Sequence, residues 1–116
     1  MQRAYRLRKN RQFQYVYRKG KSCACHELVL LHVRSARLQA GFSVSRKIGN
    51  SVVRNRVKRR LREQFRALLP LLKPGLYVVV AREAAAEADS HALGASLLSL
   101  CRRQKLLRTQ SVCKPQ

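Results

Sequence analysis

"GFSVSRKIGNSVVRNRVKRRLREQFR", residues 41 to 66, decides how this chain folds. It opens with alternating residues, Ala40, Phe42 and Val44 against Gly41, Ser43 and Ser45, the period of a half-buried strand. From Asn50 or Ser51, either of which can cap a helix, the period changes. Val53, Val57, Leu61, Phe65 and Leu68 then fall within a stripe of roughly 120° on a helical wheel. The stripe predicts a helix lying on a sheet. Between those apolar residues, the segment from Gly49 to Arg66 carries seven Lys or Arg against one acid, Glu63. Arg59, Arg62 and Arg66 follow at i, i+3 and i+7 on the far side, flanked by Arg56 and Arg60. Like charges at such spacings destabilise a free helix by a few tenths of a kcal/mol per pair, so a merely solvated face would mix signs. Phosphates explain the array better than a basic surface without function.

Working outward, "KNRQFQYVYRK", 9 to 19, places Phe13, Val16 and Tyr17 at i, i+3 and i+4 behind Asn10 and before Gly20, and predicts a first helix. "CHELVLLHV", 25 to 33, predicts a strand, with 39 to 45 as its antiparallel neighbour, and a short extra strand is placed around 34 to 38. Pro70 to Pro74 end the basic helix, Gly75 opens a strand through Ala81, and Asp89 or Ser90 starts a last helix carrying Leu93, Leu97, Leu98 and Cys101. The order is αββ(β)αβα, an α+β chain. Its 116 residues, 46% apolar, suit one domain with a modest core, residues 1 to 116, beginning with a basic segment 1 to 9 and ending in a tail 109 to 116 whose order is left open.

Twenty-six Lys plus Arg against five Asp plus Glu give a formal charge of +21. Such self-repulsion opposes compaction unless a polyanion neutralises it, so nucleic acid or an anionic membrane is the expected partner. Residues 1 to 66 hold nineteen basic and two acidic residues, net +17, and residues 67 to 116 hold seven and three, net +4. The binding face is therefore built from the N-terminal half. The longest apolar run, "GLYVVVA" at 75 to 81, is too short to span a membrane, and "MQRAYRLRKNR" lacks the apolar stretch of a signal peptide. A cytoplasmic protein is expected, with no membrane partner. Cys23, Cys25, Cys101 and Cys113 form no disulfide framework, and "CACH", Cys23, Cys25 and His26, lacks a fourth zinc ligand at loop spacing. His32, inside "LVLLHV", and His91 read as structural. The five acids, Glu27, Glu63, Glu83, Glu87 and Asp89, are too scattered to hold two magnesium ions.

The stretch 41 to 66 resembles the signature of the bacterial ribonuclease P protein subunit: an Arg-Asn-Arg helix after a strand ending in Ser-(Lys/Arg)-Lys-x-Gly-Asn, here residues 45 to 50. "RLRKNRQFQYVYRKG" and "YVVVAR" extend the likeness over most of the chain. The resemblance implies a small two-layer α/β sandwich with an unusual left-handed βαβ crossover, the class of one small-subunit ribosomal protein domain, against the usual right-handed rule. It implies a non-catalytic protein that assists a catalytic RNA, which uses Mg2+ to cleave the 5′ leader from precursor tRNA. The partners are then the ribonuclease P RNA and precursor tRNA, with no protein-bound cofactor or metal. Carried over residue by residue, the RNA-subunit site falls on Arg54, Asn55, Arg56, Lys58, Arg59, Arg60 and Arg62, with Arg46 and Lys47 in the preceding turn. Asn55 would stand near a base, a phosphate or hydrated magnesium, its alternative being a local helix-start hydrogen bond. The leader site falls on Phe13, Tyr17, Val29 and Leu31. Leu31 departs from the family, which often has an aromatic there. Read alone, Phe13 and Tyr17 at i and i+4 fit a core as well as a stacking site. A ribosomal or structural RNA-binding protein is the alternative from composition, and a DNA-binding regulator the other, although strands on both sides of the basic helix do not suit a helix-turn-helix.

Overall fold

The computed structural model describes Leu7 and residues 10 to 107. Helix α1 (Asn10–Lys19) is followed by strands β1 (Lys21–Ala24), β2 (Leu28–Val33) and β3 (Gln39–Ser43), helix α2 (Ser51–Leu68), strand β4 (Leu76–Ala81) and helix α3 (Ser90–Arg103). The four strands form one mixed sheet in the order β1-β2-β4-β3. Strand β2 pairs antiparallel with β1 and with β4, while β3 runs parallel to β4.

This order corrects two expectations. Strands β2 and β3 are not neighbours, because the β3–α2–β4 crossover returns the chain between them. The physical reason lies in β4, "LYVVVA", whose Tyr77, Val78 and Val79 are all fully buried. A strand apolar on both faces belongs in the middle of a sheet. The additional strand also lies at Lys21–Ala24 instead of 34 to 38, which is a loop. That loop has to carry the chain past the end of β4 to reach the far edge.

Alternation along each strand divides the interior in two. Leu28, Leu30, Ala40, Tyr77, Val79 and Ala81 meet Val57, Leu61 and Phe65 of α2 and Leu93, Leu97, Leu100 and Cys101 of α3. Phe65 stands edge-on to both Phe42 and Tyr77, with ring centroids 5.7 and 5.6 Å away. On the other face, Leu31 and Val78 pack with Leu7 and Val16, backed by Phe13, Val29, Val33, Leu76 and Val80. The main sandwich is thus the sheet with α2 and α3, and α1 lies across the opposite face. The stripe read from the sequence is the buried one: Val57, Leu61 and Phe65 are inaccessible, and Val53 and Leu68 lie at its margins. Each fully buried side chain of this size contributes about 1.5–3 kcal/mol of transfer free energy.

Candidate nucleic-acid interface

The segment between β3 and α2 is built backbone first. Ile48 is buried and anchors a short 3-10 turn, Arg46–Ile48, in which the Ile48 amide donates to the Ser45 carbonyl at 3.1 Å and the Gly49 amide to Arg46 at 3.2 Å. This anchoring leaves Arg46 and Lys47 exposed. Gly49 has φ 158°, and a Cβ there would stand 3.0 Å from the Val53 side chain, so a larger residue would be strained and would press on Val53. Asn50 is the N-cap, its side-chain oxygen accepting from the Val53 amide at 3.0 Å. Such a cap is worth about 1 kcal/mol. Arg54 reaches back, Nε donating to the Gly49 carbonyl at 3.2 Å, and so braces the turn while remaining partly exposed.

Along α2 the expected residues divide by what the fold asks of them. Asn55, Arg59 and Arg66 are exposed and Arg62 half-exposed, at i, i+4, i+7 and i+11, a single row opposite the buried stripe. Lys58 flanks the row on one side and Arg56 and Arg60 on the other, all half-buried. Arg60 donates to the Ala88 carbonyl at 2.8 Å, tying α2 to the cap of α3. Arg56 has its Nε buried without a hydrogen-bond partner. The local alternative for Asn55 fails, because Asn50 fills the capping position and Asn55 lies a full turn into the helix with its side chain exposed. Helix α2 also sits between parallel strands in place of a helix-turn-helix pair, which removes the structural basis for a DNA recognition helix.

The other expected site lies across the sheet. Phe13 is half-buried, and its ring lies directly on Gly41, where a Cβ would collide with ring carbons Cζ and Cε1. Val16 beneath it is fully buried, whereas Tyr17 is 42% exposed. Val29 is half-buried, and Leu31 is only 8% exposed beneath α1. All four lie on the α1 side of the sheet, so a groove between α1 and the sheet would have Phe13, Val29 and Leu31 as its apolar floor and wall and the exposed Tyr17 at its rim. The core alternative for the two aromatics holds partly for Phe13 and not for Tyr17, and Leu31 is itself buried.

Among the described residues, no three His, Cys, Asp or Glu side chains gather to hold a metal ion. Cys25 points its thiol at Glu27 (3.6 Å), which also accepts from Ser96 at 2.8 Å, and Cys23 accepts from Arg103 at 3.2 Å. The Ser96 hydrogen bond, foremost, holds the Glu27 carboxyl below its ordinary range. Burial pushes the Cys101 thiol up to about 12, which makes it an inert core residue. Cys113 lies outside the described residues, as do the basic segment's Arg3, Arg6, Arg8 and Lys9.

With this geometry in place, comparison with known proteins is decisive. The sequence model of the family "Ribonuclease P" matches residues 1 to 105. The chain belongs to the ribonuclease P protein family. A ribonuclease P protein component from an Exiguobacterium strain is 38% identical over 112 residues, covering 95% of this chain and 98% of the relative. That of Brevibacillus brevis is 40% identical over 116 residues, covering 97% and 92%. The solved RNase P protein of Staphylococcus aureus superposes with a TM-score of 0.83 at 33% identity, over 90% of this chain and 98% of that one. The Thermotoga maritima RNase P protein gives 0.76 at 30% identity, over 84% and 96%. The small α+β sandwich is thus the ribonuclease P protein fold. No helix among the described residues is long and apolar enough to cross a membrane.

Sequence reasoning missed strand β1 and a group of cations that the fold assembles from distant segments, Lys19, Lys21, Arg34, Lys73 and Lys105. No local motif could have revealed the group, since its members are spread over 87 positions and meet only through the topology.

Proposed function

We propose that this chain is the protein subunit of a ribonucleoprotein whose catalytic RNA removes the 5′ leader from precursor tRNA, and that it binds the two RNAs through different faces. The observation that carries the reading is the separation of sites: the row Asn55, Arg59, Arg62 and Arg66 faces away from the sheet on α2, while the groove of Phe13, Tyr17, Val29 and Leu31 lies on the sheet's other face under α1. Arg46, Lys47, Arg54, Arg56, Lys58 and Arg60 extend the α2 site around the start of the helix. Guanidinium groups fork onto phosphates, and the row's rigid helical spacing suits a folded RNA backbone. The groove offers an exposed aromatic and an apolar floor, which suit unpaired bases without demanding a sequence.

Among the described residues no three metal-ligating side chains come together as a cage for magnesium, which takes carboxylate and phosphate oxygens. In this reading Mg2+ belongs to the RNA, and Asn55, exposed on the outer row of α2, would stand near the hydration shell of such an ion. The protein holds and orients; the hydrolysis belongs to the RNA.

Reconstitution tests this. Protein rigorously freed of RNA is expected to leave precursor tRNA intact, and, added to a bacterial ribonuclease P RNA, to stimulate cleavage most strongly at low magnesium. Efficient cleavage by the RNA-free protein, or no stimulation of the RNA, would overturn the reading.

A further inference from the structure

At the end of the sheet away from the signature turn, a cavity of about 510 Å³ is lined by Lys19, Lys21, Arg34, Lys73 and Lys105 together with His32, Val33 and Gln104, and by no acid. All five cations are exposed. Val33 ends β2 opposite Leu76, the first residue of β4, and Lys73 lies just before it, whereas Arg46 and Lys47 follow the other end of β3. The carboxyl ends of α1 and α3 also point here, and the simplest account of the lysines is that they offset those helix dipoles. Each helix end carries roughly half a negative charge. Two ends then answer about one of the five cations, and the surplus needs another anion.

The cluster is held in a definite shape. Gln104 Nε2 donates to the carbonyls of Lys21 (3.2 Å) and Leu30 (3.1 Å), and the Lys73 amide donates to Leu106 at 2.9 Å. Lys105 is the one non-glycine with positive φ (57°) among the described residues. It occupies the position after the cap of α3, where the Leu106 amide bonds Cys101 and the Lys105 amide bonds Arg102, a Schellman turn that ordinarily takes glycine. The lysine in that place stands against its backbone preference.

The cavity adjoins the face that carries Val29 and Leu31: Val33 follows them on the same face of β2, Lys19 is the last residue of α1, and both line the cavity. From Val29 to Val33 is on the order of 13 Å of strand, room for only a few nucleotides. We propose that the five cations are a backbone-phosphate clamp for the distal part of the leader, the nucleotides lying 5′ of those in the groove. The inference rests on the groove holding the leader. Polarity follows from the placement of the two sites: with the catalytic RNA on α2 and the turn 46 to 49, the cleavage-proximal nucleotides enter at the signature end and the distal ones leave beside Lys19.

The test uses holoenzyme reconstituted at saturating catalytic RNA and two precursor tRNAs, one with a leader that ends within the groove and one with a leader that extends past it. Two clamped phosphates on a single strand add about 1.4 to the logarithmic salt slope, so between about 50 and 200 mM salt the long leader should lose about sevenfold more affinity than the short one. The Lys21→Ala, Arg34→Ala, Lys73→Ala triple variant should abolish that difference and leave the short leader unchanged. Lys105→Gly relieves the left-handed backbone, so its melting temperature should hold while its long-leader affinity falls, which separates lost contacts from a damaged fold. A triple variant that keeps the long-leader excess overturns the clamp, and so does one that weakens assembly with the catalytic RNA equally for both substrates. Tyr17→Ala run in parallel distinguishes the underlying reading: if it leaves the preference for precursor over mature tRNA intact, the groove assignment fails, and if only the triple and Lys105 variants are silent, the clamp alone fails.

Discussion

Gly41 shows how a single missing atom shapes a site. It lies on the face of β3 that α1 covers, and Phe13 and Leu7 fill the space its side chain would take. Gly41→Ala should therefore push the Phe13 ring outward and destabilise the fold by about 1–3 kcal/mol, as overpacking does. Denaturant melts at fixed sulfate check the loss. His32 supplies a second test. Its ring packs at a tilt against Tyr77, centroids 4.6 Å apart, with Nε2 buried and unpartnered, close against Gly75. Burial first, and then Lys73, hold its pKa below the ordinary histidine value, only partly opposed by the Pro74 carbonyl. The folded state thus keeps His32 neutral while the unfolded chain takes up a proton as the pH falls through about 6.5. Stability should drop as pH falls from about 7 to about 5.5, above the carboxylate range, and His32→Gln should flatten that drop. An equal slope in the variant would mean that His32 does not titrate differently on folding.

At the scale of elements, α2 divides its labour by face. Leu61 is inaccessible, and Leu61→Ala should cost about 2–5 kcal/mol and impair every activity together. Arg59, Arg62 and Arg66 make no such contribution to packing, so replacing all three by Ala should leave the melting temperature nearly unchanged. The same variant should weaken binding to the catalytic RNA and reduce its salt slope by roughly one counterion per lost contact. Salt titration of complex formation measures both, and an unchanged slope would show that the row meets no phosphate. Much of α2 was legible because both its signals, stripe and cap, are local: Asn50, Val57, Leu61 and Phe65 do in the fold what their spacing implied. Strand β1 was not, because "KSCA" is a four-residue edge strand with no apolar alternation, paired only to β2. The position of β4 between β2 and β3 was equally hidden, since period alone does not say which strand is covered on both faces. Phe13 and Tyr17 read alike in sequence, and only their different exposure on α1 separates a partly packed ring from a rim residue.

For the whole molecule, a charge of +21 on 116 residues sets the conditions under which the fold exists. Repulsion among the α2 row, the turn at Arg46 and Lys47 and the cations around Lys73 is unrelieved in the free protein at low ionic strength. Sulfate or phosphate, binding the native clusters and not the unfolded chain, should raise stability with concentration as ligand linkage requires. Circular dichroism should follow this titration from a partly unfolded low-salt state. A sample already fully folded in low salt and indifferent to sulfate would contradict it. The same anions stand in for the two RNAs, which in the proposed assembly lie on opposite faces of one small sheet.

That division between faces is most directly tested by the ratio of affinities for precursor and mature tRNA, measured on holoenzyme assembled to saturation with Tyr17→Ala and, separately, with the Arg59, Arg62 and Arg66 replacements. Losing one stacked base should lower precursor binding by about 1–3 kcal/mol and leave mature tRNA, which has no leader, unaffected, so the Tyr17 variant should bring the ratio toward unity. The arginine variant, once driven to full assembly by excess protein, should keep the wild-type ratio. If the arginine variant instead erased the preference for precursor while Tyr17→Ala preserved it, the assignment of the two faces would be reversed.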